Sequence, residues 1–269
     1  MFLIELWLRG VFKQAAYQVV EGRMIVRDRP EKGRFLRHHV DNILKLTWHN
    51  LDEMLPVAQL DKLPSIGNGQ NVYLAVATMA AYHAFLEADI EKDYAIELLA
   101  DLGWKVYTKM IGLPRFIARL VSRDPQKQIN FILRLLMIYP FSAPGRPGYE
   151  VKAWAESDRF CTYWTHCPPF AFVKQLIERN GDGGEVEAFN KSWCWYDWAA
   201  TYAMVAGGHN KLGYYVRTHT LSAGDDVCDM EWYAKPSDYQ SKEQMENSLN
   251  RKEADQRPGY HSIALKCPV

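Results

Sequence analysis

The sequence has no surplus of charge: 32 basic residues balance 32 acidic ones across 269 positions. A nucleic-acid partner needs a basic stripe to neutralise its phosphates, so that class of partner is not expected. Long apolar runs are missing too. The opening MFLIELWLRGVF is interrupted by Glu5 and Arg9, is too short to span a bilayer and lacks a small-residue cleavage site. It reads as a packing helix, with contact to a membrane surface as the alternative. Cysteine is sparse, five residues with no Cys-x-x-Cys pair. This spacing fits neither a disulfide framework nor a paired zinc site, although ligands from separate elements could still converge. Free thiols in a reducing, cytoplasmic setting are the expectation. No internal repeat or low-complexity block is visible.

What is present begins with helical periodicity. Leu3, Leu6, Trp7, Val11, Ala15 and Val19 recur at helical spacing, and Gly22 suits a helix end. A second helix is expected over 35–55, closed by Pro56. His38, His39 and His49 scatter around it and read as solvated or packed side chains. LPSIGNGQN reads as a loop, followed by two antiparallel helices over 72–88 and 90–111. His83 and Glu87, four apart, could share a metal, but without a second matching pair they read as an ordinary helix-surface pair. Further helices are expected over 115–121 and 126–138. The Pro- and Gly-rich PFSAPGRPGY then marks a boundary near residue 145.

Beyond that boundary the period changes from 3.6 to 2. EVKAWAESDRFCTYWTHCPP predicts two strands around Ser157 and Asp158, ending at Cys167 because Pro168 and Pro169 cannot feed a ladder. A helix over 170–179 follows, then the turn NGDGG. Residues 191–233 carry the densest chemistry. Cys194 and Asp197 are three apart in a helical segment, so thiol and carboxylate share one face. Further on, GYYVRTHTL and VCDMEWY alternate on either side of SAGDD and predict a second hairpin near 213–233. In it Val216, Thr218 and Thr220 point one way, and Tyr215, Arg217 and His219 the other. Cys228, Met230 and Trp232 share a face opposite Asp229 and Glu231. The last segment, 236–269, reads as a polar surface helix or mobile tail.

Three blocks carry a resemblance: Cys167-Pro168 after an alternating strand, Cys194-x-x-Asp197, and Arg217-Thr218 followed by Gly224-Asp225-Asp226-Val227-Cys228-Asp229. Over about 150–233 the chain resembles the L-2-amino-thiazoline-4-carboxylate hydrolase family, with Met230 where the family usually has phenylalanine. The resemblance implies a hydrolase cleaving a C–N bond in a small heterocyclic or amidine-like substrate. A thiolate from Cys167, Cys194 or Cys228 could add to the amidine-like carbon. Proton transfer would then fall to His166, His209 or His219, none favoured by spacing. Asp197 and Asp229 could pair with an amidinium, and Arg217 could hold a carboxylate. Taken singly, each cysteine also reads as a small buried hydrophobe, and Arg217 as an ordinary strand residue.

Two other features support different functions. Asp225, Asp226 and Asp229 spell DDxxD, the magnesium-diphosphate spacing of class I terpene synthases, but their flanks favour a turn over the helix that motif needs. Aromatic residues crowd the same region, among them Trp195, Trp198, Tyr202, Tyr215 and Trp232, as core or as the wall of a cavity. This is more aromatic surface than a polar thiazoline needs, and it keeps open a cyclase or isomerase of specialised metabolism, or a non-catalytic binding protein.

The expectation is an α+β protein with a helical region at 1–145 and an α+β region at 146–235, where two hairpins form an antiparallel sheet covered by helices. The pocket is expected between the sheet and the helix over 192–206. A small-molecule substrate, no cofactor and a homodimer complete the expectation.

Overall fold

The computed structural model describes residues 2–194 and 214–233. Helix α1 (Phe2–Val20) lays Leu8, Phe12, Ala15 and Val19 against the rest of the helical layer. It is followed by α2 (Arg37–Ala58), α3 (Ile66–Glu87), α4 (Lys92–Val121) and α5 (Pro125–Ile138). A hairpin of β1 (Glu150–Ala155) and β2 (Arg159–His166) leads to α6 (Pro168–Asn180) and to a helix, α7, that covers 185–194. The described part closes with β3 (Tyr214–Val216) and β4 (Cys228–Tyr233). The protein is therefore α+β, with helices in its first half and a sheet in its second. No described helix is long and apolar enough to cross a membrane.

Helix α3 is the centre of the helical layer. Almost every residue from Gly67 to Phe85 is buried, and its apolar residues form no single stripe. A helix apolar on all sides must be enclosed on all sides, and α1, α2, α4 and α6 enclose it. It starts at Ile66, where the sequence predicts a loop. Ser65 caps it by accepting the Asn68 N–H at 3.1 Å. Gly67 serves close approach and not a turn: a Cβ there would lie 2.7 Å from the Pro140 backbone.

Two prolines also fail to act as stops. Helix α2 runs past Pro56 to Ala58, and α4 continues through Pro114 to Val121, where two helices are expected. Each proline removes one backbone donor. At Pro56 the buried Met54 and Ala58 on either side offset that loss, whereas the turns after Pro114 leave Phe116, Leu120 and Val121 exposed.

The sheet is antiparallel in the order β1-β2-β4-β3, so the two hairpins join through β2 and β4. Alternation along β4 turns Cys228, Met230 and Trp232 inward and leaves Asp229 and Glu231 partly exposed. The connection from β3 to β4 departs from the expected tight hairpin. Only Tyr214–Val216 is strand, and residues 217–227 form an irregular loop with a short 3-10 turn at Leu221–Ala223. The two-residue alternation therefore stops at Val216.

Packing crosses residue 145 in both directions. Helix α5 covers the inner face of the sheet, where Ile129 and Leu133 join Phe160, Trp164, Met230 and Trp232 in one core. Helices α6 and α7 return to the helical layer through Phe172, Val173 and Phe189. Cys167 and Leu221 touch both cores.

Candidate functional site

Where the two cores meet, a cavity of about 480 Å³ opens. Its wall is mostly apolar. The sheet contributes Trp164, Cys228, Met230 and Trp232, and α5 contributes Leu133, Leu136 and Met137. Helix α4 adds Tyr107, Met110 and Pro114, and α1 adds Ile4 and Trp7. Trp193 extends the apolar wall, and its polar members include Gln70 and Asn71 of α3, Cys167, Cys194 and the cations Lys109 and Arg217.

The position of Cys194 follows from the way α7 is anchored. Gly184 precedes it at φ +105°, and a Cβ there would meet the Tyr82 hydroxyl at 2.6 Å, so only glycine fits both the conformation and the space. The Glu185 carboxylate meets His83 Nε2 at 2.8 Å and accepts the Gly183 N–H at 2.5 Å. Burial pushes Glu185 upward, but these hydrogen bonds outweigh it and hold its pKa down to about 2. Glu187 pairs with Lys92 and Lys191, each at 2.6 Å. Phe189 stacks between Phe170 and Trp193 at 5.6 and 5.9 Å. These contacts deliver Trp193 and Cys194 to the cavity.

Cys228 arrives from the other side, on β4 opposite Trp164 of β2. Its sulfur accepts the Leu221 N–H at 3.2 Å and lies 3.3 Å from the Thr220 hydroxyl. The Thr220 hydroxyl is 3.4 Å from Ser222 Oγ, which is 3.0 Å from the Cys194 sulfur. Asn190 donates to the same Ser222 oxygen at 2.9 Å. Two thiols on separate elements are thus bridged by two hydroxyls.

The acidic residues hold the loop that makes this bridge. Asp229 lies on the face of β4 opposite Cys228. It accepts the Thr218 and His219 N–H groups at 2.8 and 2.6 Å, His219 Nδ1 at 2.7 Å, and the Thr218 hydroxyl. Burial raises the Asp229 pKa, and these hydrogen bonds overcome it, leaving the group below its ordinary value. Asp225 accepts the Thr220 N–H at 2.7 Å. Asp225 and Asp229 are therefore committed to backbone donors. Among the described residues no group of three His, Cys, Asp or Glu side chains could hold a metal. His83 and Glu87 are likewise separated in role, His83 to Glu185 and Glu87 to the Asn50 amide at 2.8 Å.

Of the residues singled out from sequence, Cys167, Cys194, Cys228, Arg217 and Trp232 line one cavity. Tyr215 packs on Trp232 at 5.4 Å, behind the wall. His166 is bonded to the Gly148 carbonyl at 2.7 Å, and His219 is more than half exposed, so neither belongs to the wall. Asp197, His209, Trp195, Trp198 and Tyr202 lie outside the described residues. Sequence reasoning missed Gln70, Asn71, Thr220 and Ser222. The first two sat in a segment taken for a loop, and the hydroxyls carried no spacing signal.

Neither models of known families, nor characterised proteins, nor solved structures yield a match to this chain.

Proposed function

We propose that the cavity is the active site of a cysteine-dependent hydrolase that cleaves a C–N bond in an amidine-like or heterocyclic group carried on an apolar body. The observation that carries this reading is the setting of Cys228: a cavity-lining sulfur that accepts a backbone N–H and faces a hydroxyl. Donors aimed at sulfur favour its anionic form and can follow it as it leaves again.

On an amidine the chemistry balances with water as the only co-substrate. The Cys228 sulfur adds to the amidine carbon while its proton passes to nitrogen. The C–N bond then breaks, an amine leaves and a thioimidate remains on sulfur. Water adds to that carbon, the C–S bond breaks, and an amide is released with the thiol restored. Thr220 and Ser222 provide a path for a proton between the two sulfurs, making Cys194 the second member of the pair. Arg217 is the group that would hold a substrate carboxylate.

A second reading, a cyclase or isomerase acting on a hydrophobic substrate, has its own support in the apolar lining, where Trp164, Trp193 and Trp232 converge. The readings separate on one substitution. A panel of aryl and alkyl amidines and thiazolines is incubated with the protein, amine release is assayed, and intact mass is recorded for an adduct. The hydrolase reading expects turnover, a trapped adduct on Cys228, and loss of both in Cys228→Ala. Amine release that survives Cys228→Ala rejects the thiol as nucleophile, and a panel with neither amine release nor an adduct leaves the cyclase reading as the better one.

A further inference from the structure

Two amides at the start of α3 lie in the cavity wall, each with a polar atom to spare. Gln70 is 4% exposed and Asn71 1%, and both line the cavity. The Gln70 carbonyl oxygen accepts the Tyr139 hydroxyl. The Asn71 Nδ2 group donates to the Tyr149 hydroxyl at 3.1 Å. In this arrangement Gln70 turns its oxygen, and Asn71 its nitrogen, toward a tyrosine hydroxyl. This leaves Gln70 Nε2 as a donor and Asn71 Oδ1 as an acceptor, neither with a partner among the described residues. Open polar atoms in an otherwise apolar wall are the features by which such cavities orient a ligand.

The helix explains why the pair is rigid. Residues Gly67 to Asn71 are buried against the 139–149 segment. Asn68 donates to the Ser142 carbonyl at 3.0 Å, and Gly67 touches the Pro140 backbone. The same segment carries Tyr139 and Tyr149, so the groups that aim the two amides are fixed to the backbone those amides pack against.

We infer that Gln70 and Asn71 recognise the polar edge of an otherwise apolar ligand: a neutral group presenting an acceptor beside an N–H donor, as in a lactam or a primary amide. Gln70 Nε2 donates to the ligand's acceptor, and Asn71 Oδ1 accepts its N–H. The inference rests on the cavity being the ligand site, and it holds whether or not Cys228 is a nucleophile. The amide product of the proposed reaction carries this donor and acceptor pattern, whereas a protonated amidine offers N–H donors alone, so the pair favours the edge of the amide as it forms.

Three flat probes of nearly equal shape separate the two contacts: phenanthridinone, a lactam; benzocoumarin, the corresponding lactone; and phenanthrene, which has neither polar group. Binding to the full chain is read by quenching of tryptophan fluorescence, since Trp164, Trp193 and Trp232 line the cavity. The expected order is lactam, lactone, phenanthrene, with steps of about tenfold, the scale of one net hydrogen bond. Asn71→Leu should bring the lactam to the lactone's affinity, and Gln70→Met should bring the lactone to phenanthrene's, while phenanthrene itself binds both variants at least as tightly as the parent. If Asn71→Leu does not fold, Gln70→Met decides alone, because its partner Tyr139 is 45% exposed and its hydroxyl can turn to water. Equal binding of all three probes, or ratios that survive both substitutions, overturns the inference. Failure of phenanthrene to bind at all overturns the ligand cavity itself, and the inference with it.

Discussion

Replacing Asp101 by asparagine tests how the helical layer tolerates a buried charge. Asp101 lies on α4 with 2% of its side chain exposed, 2.5 Å from the Arg23 guanidinium. Burial raises its pKa, Arg23 lowers it, and the like charge of Glu97 raises it again, with a net value of about 7 against an ordinary 3.8. The folded state therefore holds this proton more tightly than the unfolded chain. The resulting stabilisation is complete below about pH 4 and is lost as the pH rises through about 7. A displacement of about three pH units corresponds to about 4 kcal/mol. Asp101→Asn cannot titrate, so constant effects of the substitution cancel when its pH profile is subtracted from that of the parent. Urea unfolding of both proteins between pH 4 and pH 8 should show the parent losing up to about 4 kcal/mol relative to the variant. A difference that is flat, or that moves in the parent's favour with rising pH, would mean Arg23 keeps the carboxylate charged, and the reasoning would be refuted.

Further outcomes follow from packing at the cavity walls. Phe189→Ala removes a fully buried ring stacked between Phe170 and Trp193; urea unfolding should show a loss of about 3 to 5 kcal/mol. Gly67→Ala drives a Cβ to 2.7 Å from the Pro140 backbone. It should cost about 1 to 3 kcal/mol and open the 139–149 segment, read as faster amide hydrogen exchange there.

Elements whose period belongs to a single helix or strand were legible in the sequence. The β1 and β2 hairpin, its turn at Ser157 and Asp158 and the inward face of Cys228, Met230 and Trp232 all follow from alternation. The α+β arrangement follows from the change of period near residue 145. Boundaries set by tertiary contact were not legible. Glycine and asparagine at 67–71 read as a loop because only the neighbouring Pro140 backbone reveals that Gly67 is there for space. Pro56 reads as a stop because one lost donor is visible in the sequence and the packing of Met54 and Ala58 is not, and the helices expected over 90–111 and 115–121 are one continuous helix. Asp229 drew attention as an acid beside a cysteine, yet strand alternation sends the two side chains to opposite faces, and the carboxylate organises the loop that brings Thr220 and Leu221 to the sulfur. Cys167, Cys194 and Cys228 were visible as a set, but their meeting in one cavity depends on three elements far apart in the chain.

The proposed function requires the Cys228 sulfur to be a chemically competent group in a ligand cavity, and the protein contains its own control. Cys161 is buried, and burial together with the Glu231 and Glu156 carboxylates pushes its thiol up to about 11. The decisive measurement is the rate of iodoacetamide alkylation of each cysteine from pH 6 to pH 10, resolved by peptide mass spectrometry, with and without phenanthrene. Cys228 should react well before Cys161 at neutral pH, and phenanthrene should protect Cys228 while leaving Cys161 unchanged. Alkylation of Cys228 as slow as that of Cys161 across the whole range, indifferent to phenanthrene, would contradict that requirement.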